Sequence, residues 1–207
     1  CSSDLNDGLP GAGIFKSTDG GQTWTQLAAT ANDDFRWVNR LAHHPTQSGI
    51  LFAATSIATN VGVGGEVFKT TDGGQTWTSV LSFLDIPILD VKVHPTNGDL
   101  VFAGGMGSAW LATEGGDEVA DWTTLTLGGN SLPNDGGRVE VAFAPSDPNM
   151  LYVSMDRNQG EVWRSTNQGD TWNLRNTGTN YLSDQGDYDN AIWVSPTNPN
   201  DVVVGGI

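Results

Sequence analysis

The sequence predicts an all-β fold built from repeated four-stranded antiparallel sheets, and two recurring turns in its 207 residues support this. The first turn is a Gly-rich motif that ends in tryptophan. Its copies are Ser17–Trp24, Thr70–Trp77 and Ser165–Trp172, with a degenerate copy at 112–122. The second turn is built on proline. It occurs at Pro45, Pro95, Pro145 and Pro196, spaced 50, 50 and 51 residues apart.

The spacing of these turns also predicts the architecture. The tryptophans that close the first motif lie 53, 45 and 50 residues apart. A period near fifty residues, filled with short apolar runs, is typical of β-propellers, in which each repeat forms one four-stranded blade. We therefore expect a β-propeller without any substantial helix.

Each repeat divides into four strands in a fixed order, because short runs with apolar and polar alternation are separated by turn residues. The first strand leads into the proline turn and is predicted at Val38–His43, Ile88–Val93, Val139–Ala144 and Ala191–Val194. The second follows that turn, at Ile50–Ala54, Leu100–Ala103, Met150–Val153 and Val202–Val204. After a variable loop, including Thr55–Gly65, the third is predicted at Gly13–Lys16, Glu66–Lys69, Ala109–Ala112 and Glu161–Arg164. The fourth begins at the tryptophan of the first motif.

The phase of the repeats predicts three whole blades and two complementary half-blades. The approximate bounds are 1–27, 38–80, 88–127, 139–175 and 190–207. The two halves could pair to close a ring of four. We favour instead a region of a larger ring of six to eight blades in a longer chain. Its open sheet edges would then be covered by the rest of the propeller or by another chain, since exposed edges invite aggregation.

The residues of the first motif have evident structural roles. Glycine reaches positive φ without a steric penalty, and a short polar side chain can accept backbone N–H groups inside its own turn. The tryptophan supplies an apolar plate over the hairpin. The residues predicted to hold the turns are Ser17, Asp19, Gly21, Trp24, Thr70, Asp72, Gly74, Trp77, Ser165, Asn167, Gly169 and Trp172.

The pattern S-x-D-x-G-x-T-W resembles the Asp-box, or BNR repeat. Over essentially its whole length the chain is similar to Asp-box β-propellers: sialidases, xyloglucanase-like glycoside hydrolases, sortilin-type receptors and uncharacterised secreted bacterial propellers. The resemblance implies a β-propeller from an extracellular or surface-attached bacterial protein. It specifies the fold far better than the function.

Composition narrows the function classes. The chain carries 24 Asp and Glu against 9 Lys and Arg, for a net charge of −15, which disfavours nucleic acids and anionic membranes as partners. A single cysteine indicates a protein that does not depend on disulfides. That residue, Cys1, is followed by Ser2 and Ser3, as in a processed lipoprotein, or else marks a point inside a longer chain.

Candidate binding residues lie on one face of the predicted propeller. Turns between first and second strands, and between third and fourth, share one face, which leaves the variable loops on the other, called here the loop face. Its candidate ligand-binding residues are Asp33, Asp34, Arg36, Trp37, Asp135, Arg138, Asp187, Tyr188 and Asp189. Asp85, Asp90, Asp156 and Asp184 are placed there too, with Arg40 and Arg157 among them. Exposed rings and carboxylates suit sugars, although such residues also keep loops solvated.

No metal site is predicted from the histidines. His43 and His44 are adjacent, so their side chains point to opposite faces of a strand and cannot chelate one ion. His94 occupies the position of His44 before the next proline, as a turn residue. Asp187 and Asp189 are candidate ligands for Ca²⁺, which prefers several oxygens. No other cofactor is expected.

The predicted function is a non-catalytic extracellular module that binds a glycan or a protein. The alternative is a glycoside hydrolase, which would place two carboxylates about 5–10 Å apart across a cleft. Similarity to sialidases would make Arg36 the first substrate-binding arginine and Tyr181 or Tyr188 the nucleophile. Similarity to xyloglucanases would require a second propeller. Assembly factors of photosynthetic complexes share the repeat, but nothing in the residues selects them.

Overall fold

The structure is a computed structural model that describes residues 10–59, 62–126, 131–176 and 180–206. Cys1, on which the lipoprotein interpretation depends, lies outside these residues. Within them, the chain forms three four-stranded antiparallel sheets flanked by two two-stranded sheets. The prediction of an all-β fold with four-stranded propeller blades is confirmed, and the helical segments are single 3-10 turns at Ala28–Thr30, Asp33–Phe35 and Val119–Asp121.

The strands follow the predicted order in every repeat. The first half-blade contains β1 (Phe15–Lys16) and β2 (Thr25–Gln26). Blade A contains β3 (Val38–His43), β4 (Leu51–Thr59), β5 (Gly62–Thr70) and β6 (Thr78–Phe83). Blade B contains β7 (Ile88–Val93), β8 (Val101–Gly105), β9 (Ala109–Ala112) and β10 (Trp122–Thr124). Blade C contains β11 (Val139–Phe143), β12 (Leu151–Met155), β13 (Glu161–Ser165) and β14 (Asn173–Leu174). The last half-blade contains β15 (Ala191–Val194) and β16 (Val202–Gly205).

The segment Thr55–Gly65 differs from its prediction as a loop. Most of it continues β4 and β5 as a long hairpin, with Ser56 paired to Gly65 and Thr59 paired to Gly62. The glycines, which resemble loop residues in the sequence, allow a close approach instead. A Cβ atom on Gly65 would collide with the backbone nitrogen of Ile88 at the start of the next blade. Glycine inside a strand often marks such an approach of two backbones.

The core lies between the blades, because each sheet packs its apolar face on the next. Phe52, Val67 and Trp110 belong to the cluster between blades A and B, and Phe102 and Val153 to the cluster between B and C. Smaller clusters join the half-blades to their neighbours. Within the described residues β1 pairs with β2 alone and β16 with β15 alone, so the two half-blades do not close a ring of four.

The Gly-rich turns are held by the predicted hydrogen bonds. Asp72 Oδ1 accepts the backbone N–H of Thr76 at 3.0 Å, its Oδ2 accepts the Thr76 hydroxyl at 2.6 Å, and the Thr70 hydroxyl accepts the N–H of Gly74 at 3.0 Å. The turn of Asp19 repeats this pattern. Gly73 and Gly74 have φ values of 73° and 95°, which favour glycine. Because these bonds stabilise the charged carboxylate, the pKa values of Asp19 and Asp72 are held well below their usual range.

We expect Asp72→Ala to lower the unfolding temperature markedly more than Asp72→Asn. Asn167 occupies the equivalent position in blade C, where its Oδ1 accepts the N–H of Thr171 at 3.0 Å. An amide oxygen therefore suffices for the central bond, whereas alanine leaves that N–H without its acceptor. Thermal unfolding followed by circular dichroism measures both variants at pH 7. Equal losses from the two substitutions would contradict this role of Asp72.

Two of the proline turns, those of blades A and B, use histidine as a backbone acceptor. His94 Nδ1 accepts the N–H groups of Thr96 at 3.2 Å and Asn97 at 3.0 Å. His44 Nδ1 does the same in blade A. The imidazole of His94 is fully buried and meets the ring of Phe143 edge-on at 5.1 Å. Burial lowers the pKa of His94, because the charged imidazolium would lose its hydration.

The protein is expected to lose stability as the pH falls below about 6.5, the pKa of an exposed histidine. The unfolded chain takes up a proton there while folded His94 stays neutral, so the free energy of unfolding falls by up to about 1.4 kcal/mol per pH unit. Urea unfolding at pH 7.5 and 5.5 measures the difference. His94→Asn should reduce it, whereas His43→Asn, which alters an exposed side chain, should not. An unchanged difference in His94→Asn would contradict the assignment.

Candidate functional site

The loop face holds the predicted binding residues in two separate places. Asp33, Asp34, Arg36 and Trp37 lie together at the entry to blade A, where the 3-10 turn Asp33–Phe35 precedes β3. The side chain of Asn32 accepts the N–H of Asp34 at 3.0 Å and begins this turn. Arg36 Nη2 lies 2.6 Å from Asp33 Oδ1 on the exposed side. Trp37 is half-buried, so only part of its ring is accessible for stacking on a ligand.

The second place lies between blade C and the last half-blade. Arg157 binds Asp135 through Nε at 2.7 Å and Nη2 at 3.2 Å, and contacts Glu161 at 2.7 Å through Nη1. These bonds from Arg157 lower the pKa of Asp135. Tyr188 is 78% exposed. The ring of Tyr188 is thus the most accessible aromatic side chain among the predicted site residues.

Asp156 lies between the loop that carries Asp135 and the segment that carries Asp187, which are far apart in the sequence. Its backbone N–H donates to the carbonyl of Arg138 at 2.9 Å, and its carbonyl accepts from Gly137 at 2.6 Å. Its carboxyl group lies between Gly137 and Gly186, where a Cβ atom on either glycine would collide with it. Burial, with the nearby charge of Asp187, raises the pKa of Asp156. From the sequence, Asp156 was placed on the loop face but was not among the candidate ligand-binding residues.

Tyr181 does not have the surroundings of a nucleophile. Its hydroxyl oxygen lies 2.7 Å from Ser154 Oγ and donates to the carbonyl of Glu161 at 3.2 Å. Burial raises the pKa of Tyr181 to about 12, so the phenolate is disfavoured. Its bonds join β12, β13 and the segment before β15, which is a structural role.

Three predicted loop-face residues, Arg40, Asp90 and Arg138, belong to the centre of the molecule instead. The strands β3, β7, β11 and β15 contact one another in order and line the propeller axis. Asp90 lies within β7 and is fully buried there, so its placement on the loop face was wrong. Arg138 turns from its loop towards this axis and binds Glu140 Oε1 through Nε at 2.9 Å and Nη2 at 2.6 Å.

These residues form a charged group that sequence reasoning missed, called here the axial cluster: Arg40, Asp90, Lys92, Arg138 and Glu140. Arg40 Nε lies 3.1 Å from Asp90 Oδ1, and Lys92 Nζ lies 3.3 Å from Asp90 Oδ2. Glu140, which is buried, lies within 3.7 Å of both Arg40 and Lys92. Burial and the neighbouring Asp90 raise the pKa of Glu140. The sequence contains a signal for this cluster, because charged residues recur at positions 40, 90 and 140, one blade period apart, in otherwise apolar strands.

A groove of about 510 Å³ runs beside the axial cluster towards the proline turns. Its wall includes Arg40, Leu41, Val91, Ala142 and Trp193. Volumes of this order are typical of small-ligand sites. The described residues contain no group of three or more His, Cys, Asp or Glu side chains placed to hold a metal, and no helix in them is long and apolar enough to cross a membrane.

No known protein-family model matches the chain. A curated relative, the photosystem II assembly lipoprotein Ycf48 of Synechococcus sp. (strain CC9902), is 32% identical over 113 residues, which cover 54% of this chain and 30% of that protein. The match therefore spans less than a third of the relative's length.

Solved structures with a similar fold include glycoside hydrolases. An ancestral GH74 enzyme is 20% identical with a TM-score of 0.68, and the match covers 91% of this chain and 24% of that one. The GH74 xyloglucanase of Xanthomonas campestris is 15% identical with a TM-score of 0.68, covering 95% of this chain and 33% of that one. The GH93 α-L-arabinofuranosidase of Fusarium graminearum is 15% identical with a TM-score of 0.52, covering 93% and 66%. At these identities the likeness shows the fold alone: the chain forms part of a β-propeller.

Proposed function

We propose that this chain is a non-catalytic scaffold region of a β-propeller and binds a protein partner on its loop face. The observation that carries the proposal is the ion pairing of two loop-face carboxylates with arginines. Asp33 is paired with Arg36 and Asp135 with Arg157, so these groups are engaged within the protein rather than opposed across an open cleft. Exposed apolar and aromatic side chains lie on the same face, namely Leu84 and Tyr188.

A protein partner is favoured over a glycan by two points. Aromatic residues and arginines are enriched in protein interfaces, and Leu84 adds apolar area without hydroxyl-binding groups. The relative identified by sequence is named as an assembly lipoprotein, which implies protein partners for that relative. The chain's net charge of −15 further favours a partner with a basic or neutral surface.

The scaffold region has three further features: the type of its turns, its location and the cover of its sheet edges. The turns at Asp19, Asp72 and Asn167 are Asp-box repeats with a structural role, and their hydrogen bonds support this. The protein acts outside the cell or at its surface, as the resemblance to secreted propellers implies. Further blades or another chain cover the edges of β1 and β16 that are unpaired among the described residues.

Glycoside hydrolysis is the second candidate, favoured by one observation. The raised pKa of Asp156 beside Asp187 is the property of a general acid paired with a second carboxylate. Release of reducing sugar from xyloglucan, arabinan and sialyllactose tests this directly. We expect no release by the natural sequence; activity lost in both Asp156→Asn and Asp187→Asn would establish the hydrolase and overturn the scaffold.

Site-specific photocrosslinking tests the scaffold. A benzophenone amino acid in place of Tyr188 should trap one discrete protein in cells that make this chain, and Leu84→Asp should weaken that product at least about tenfold. The matched control places the same group at Gln47, an exposed position in a proline turn on the opposite face. Equal products from both positions, or a glycan alone at position 188, would contradict protein binding by the loop face.

A further inference from the structure

The axial cluster has more cations than carboxylates. Its three cations, Arg40, Lys92 and Arg138, share two carboxylates, Asp90 and Glu140. In the ion pairs elsewhere in the described parts of the chain, cations do not outnumber carboxylates. Arg36 and Lys69 each pair with one carboxylate, and Arg157 pairs with two. A protein with a net charge of −15 thus holds a local positive excess beside its axial groove.

The cations of this cluster remain accessible while its carboxylates do not. The side chain of Arg40 is 41% exposed and that of Lys92 is 30% exposed, whereas Asp90 and Glu140 are buried. Lys92 Nζ is engaged by Asp90, Glu140 and the backbone carbonyl of Val141, whereas the guanidinium of Arg40 is only partly engaged and lies beside the groove. Arg40 uses one short contact, Nε to Asp90, and its Nη2 lies at the longer distance of 3.5 Å from Glu140. Within the part of the chain that the structure describes, donor positions on this guanidinium are therefore free for an anionic group.

Apart from His43, the rest of the groove is lined by apolar side chains. Ala42, Val91 and Ala142 line it, and Leu41 and Trp193 expose 50% and 52% of their surface along it. Neither Leu41 nor Trp193 belongs to a core cluster of the described chain. Large exposed apolar side chains gathered in one concave site are typical of a binding surface.

We propose that the axial groove binds an acidic peptide segment, with a Glu or Asp side chain on the guanidinium of Arg40 and adjoining apolar side chains over Leu41 and Trp193. Charge complementarity requires the carboxylate. The apolar wall selects a peptide over an acidic oligosaccharide, because a sugar would bury hydroxyl groups against Leu41 and Ala42 without hydrogen-bond partners. Binding here is separate from the loop face, so the loop-face proposal can fail while this one holds.

The test is titration of the ¹⁵N-labelled protein with a capped peptide, acetyl-Ala-Leu-Glu-Leu-Ala-amide, to about 1 mM, the scale of a weak specific site. The indole signal of Trp193, assigned by its loss in Trp193→Phe, and the Nε signal of Arg40 should shift together. The peptide with Gln in place of Glu should bind at least about tenfold more weakly, since the charge-assisted bond is lost. Absence of any shift at these two groups, or equal binding of the two peptides, would overturn the proposal.

Variants outside the charged cluster keep the test independent of folding. Leu41→Asp alters an exposed groove residue and should reduce affinity at least about tenfold, because it blocks the apolar wall and places a competing carboxylate beside Arg40. Leu84→Asp makes the same change on the loop face and should leave affinity unchanged. Trigalacturonate and inorganic phosphate serve as comparison ligands. Tighter binding of either than of the Glu peptide would assign the site to a sugar acid or to simple anions instead.

Discussion

Trp172→Ala is expected to lower the free energy of unfolding by about 3–5 kcal/mol, the range for deletion of a buried large aromatic side chain. Trp172 is 6% exposed and belongs to the cluster between blades B and C, and the turn glycine before it, Gly169, lies against Leu111 and Leu125 of blade B. Alanine would leave a cavity at this junction that β-strands cannot readily fill.

The same substitution at Trp24 should cost less than about 1 kcal/mol, as for exposed sites. Trp24 holds the same place in its turn, but it is 61% exposed because no described sheet packs on that side of the first half-blade. Its indole Nε1 donates to the carbonyl of Gly21 at 3.1 Å, a local bond. Urea unfolding measures both variants under identical conditions. Similar losses for the two would show that the ring acts within its own turn and not between blades.

Asp90→Ala should destabilise the protein by about 3 kcal/mol, because it removes a buried carboxylate from between cations. Asp90 Oδ2 also accepts the N–H of Val141 at 3.3 Å, so the loss extends to the link between blades B and C. Arg40 and Lys92 retain partial hydration, which keeps the loss below that of a fully buried pair.

A double-mutant cycle with Lys92→Ala separates these contributions. If the uncompensated cation causes much of the loss, the double variant should be more stable than the sum of the two single changes predicts. Asp184→Ala, on an exposed loop residue, is the matched control and should remain within about 0.5 kcal/mol of the natural sequence. A loss from Asp90→Ala as small as this control would contradict the structural importance of the axial cluster.

The blade architecture was predictable because its determinants are local. Gly73 and Gly74 adopt the positive φ that their turn requires, and Asp72 accepts the N–H of Thr76, four residues on. The residues of each repeat therefore determine its turn without help from other repeats. The first strands at Val38–His43 and Ile88–Val93 agree with the structure to the residue, because alternation and the following proline define both ends.

The features that could not be predicted from the sequence depend on contacts between repeats. The exposure of Trp24 and the burial of Trp172 follow from neighbouring sheets, which the motif itself does not encode. Gly64 and Gly65 resemble a loop until the backbones of Phe83, in the same blade, and Ile88, in the next, are placed against them. Asp90 resembled a solvated acid, and only its equivalence to positions 40 and 140 could have placed it at the axis.

The inner strands carry polar links from each blade to the next. Asn39 Nδ2 donates to the carbonyl of Ile88 at 2.7 Å, Asp90 accepts from Val141, and Asn190 Nδ2 donates to the carbonyl of Arg138 at 3.3 Å. Apolar faces alone would tolerate sliding of one sheet along another, since their attraction has little directionality. Each link fixes a single offset between adjacent sheets. A blade transplanted from another propeller would therefore fit this array only if it supplied a matching donor or acceptor on both of its sides.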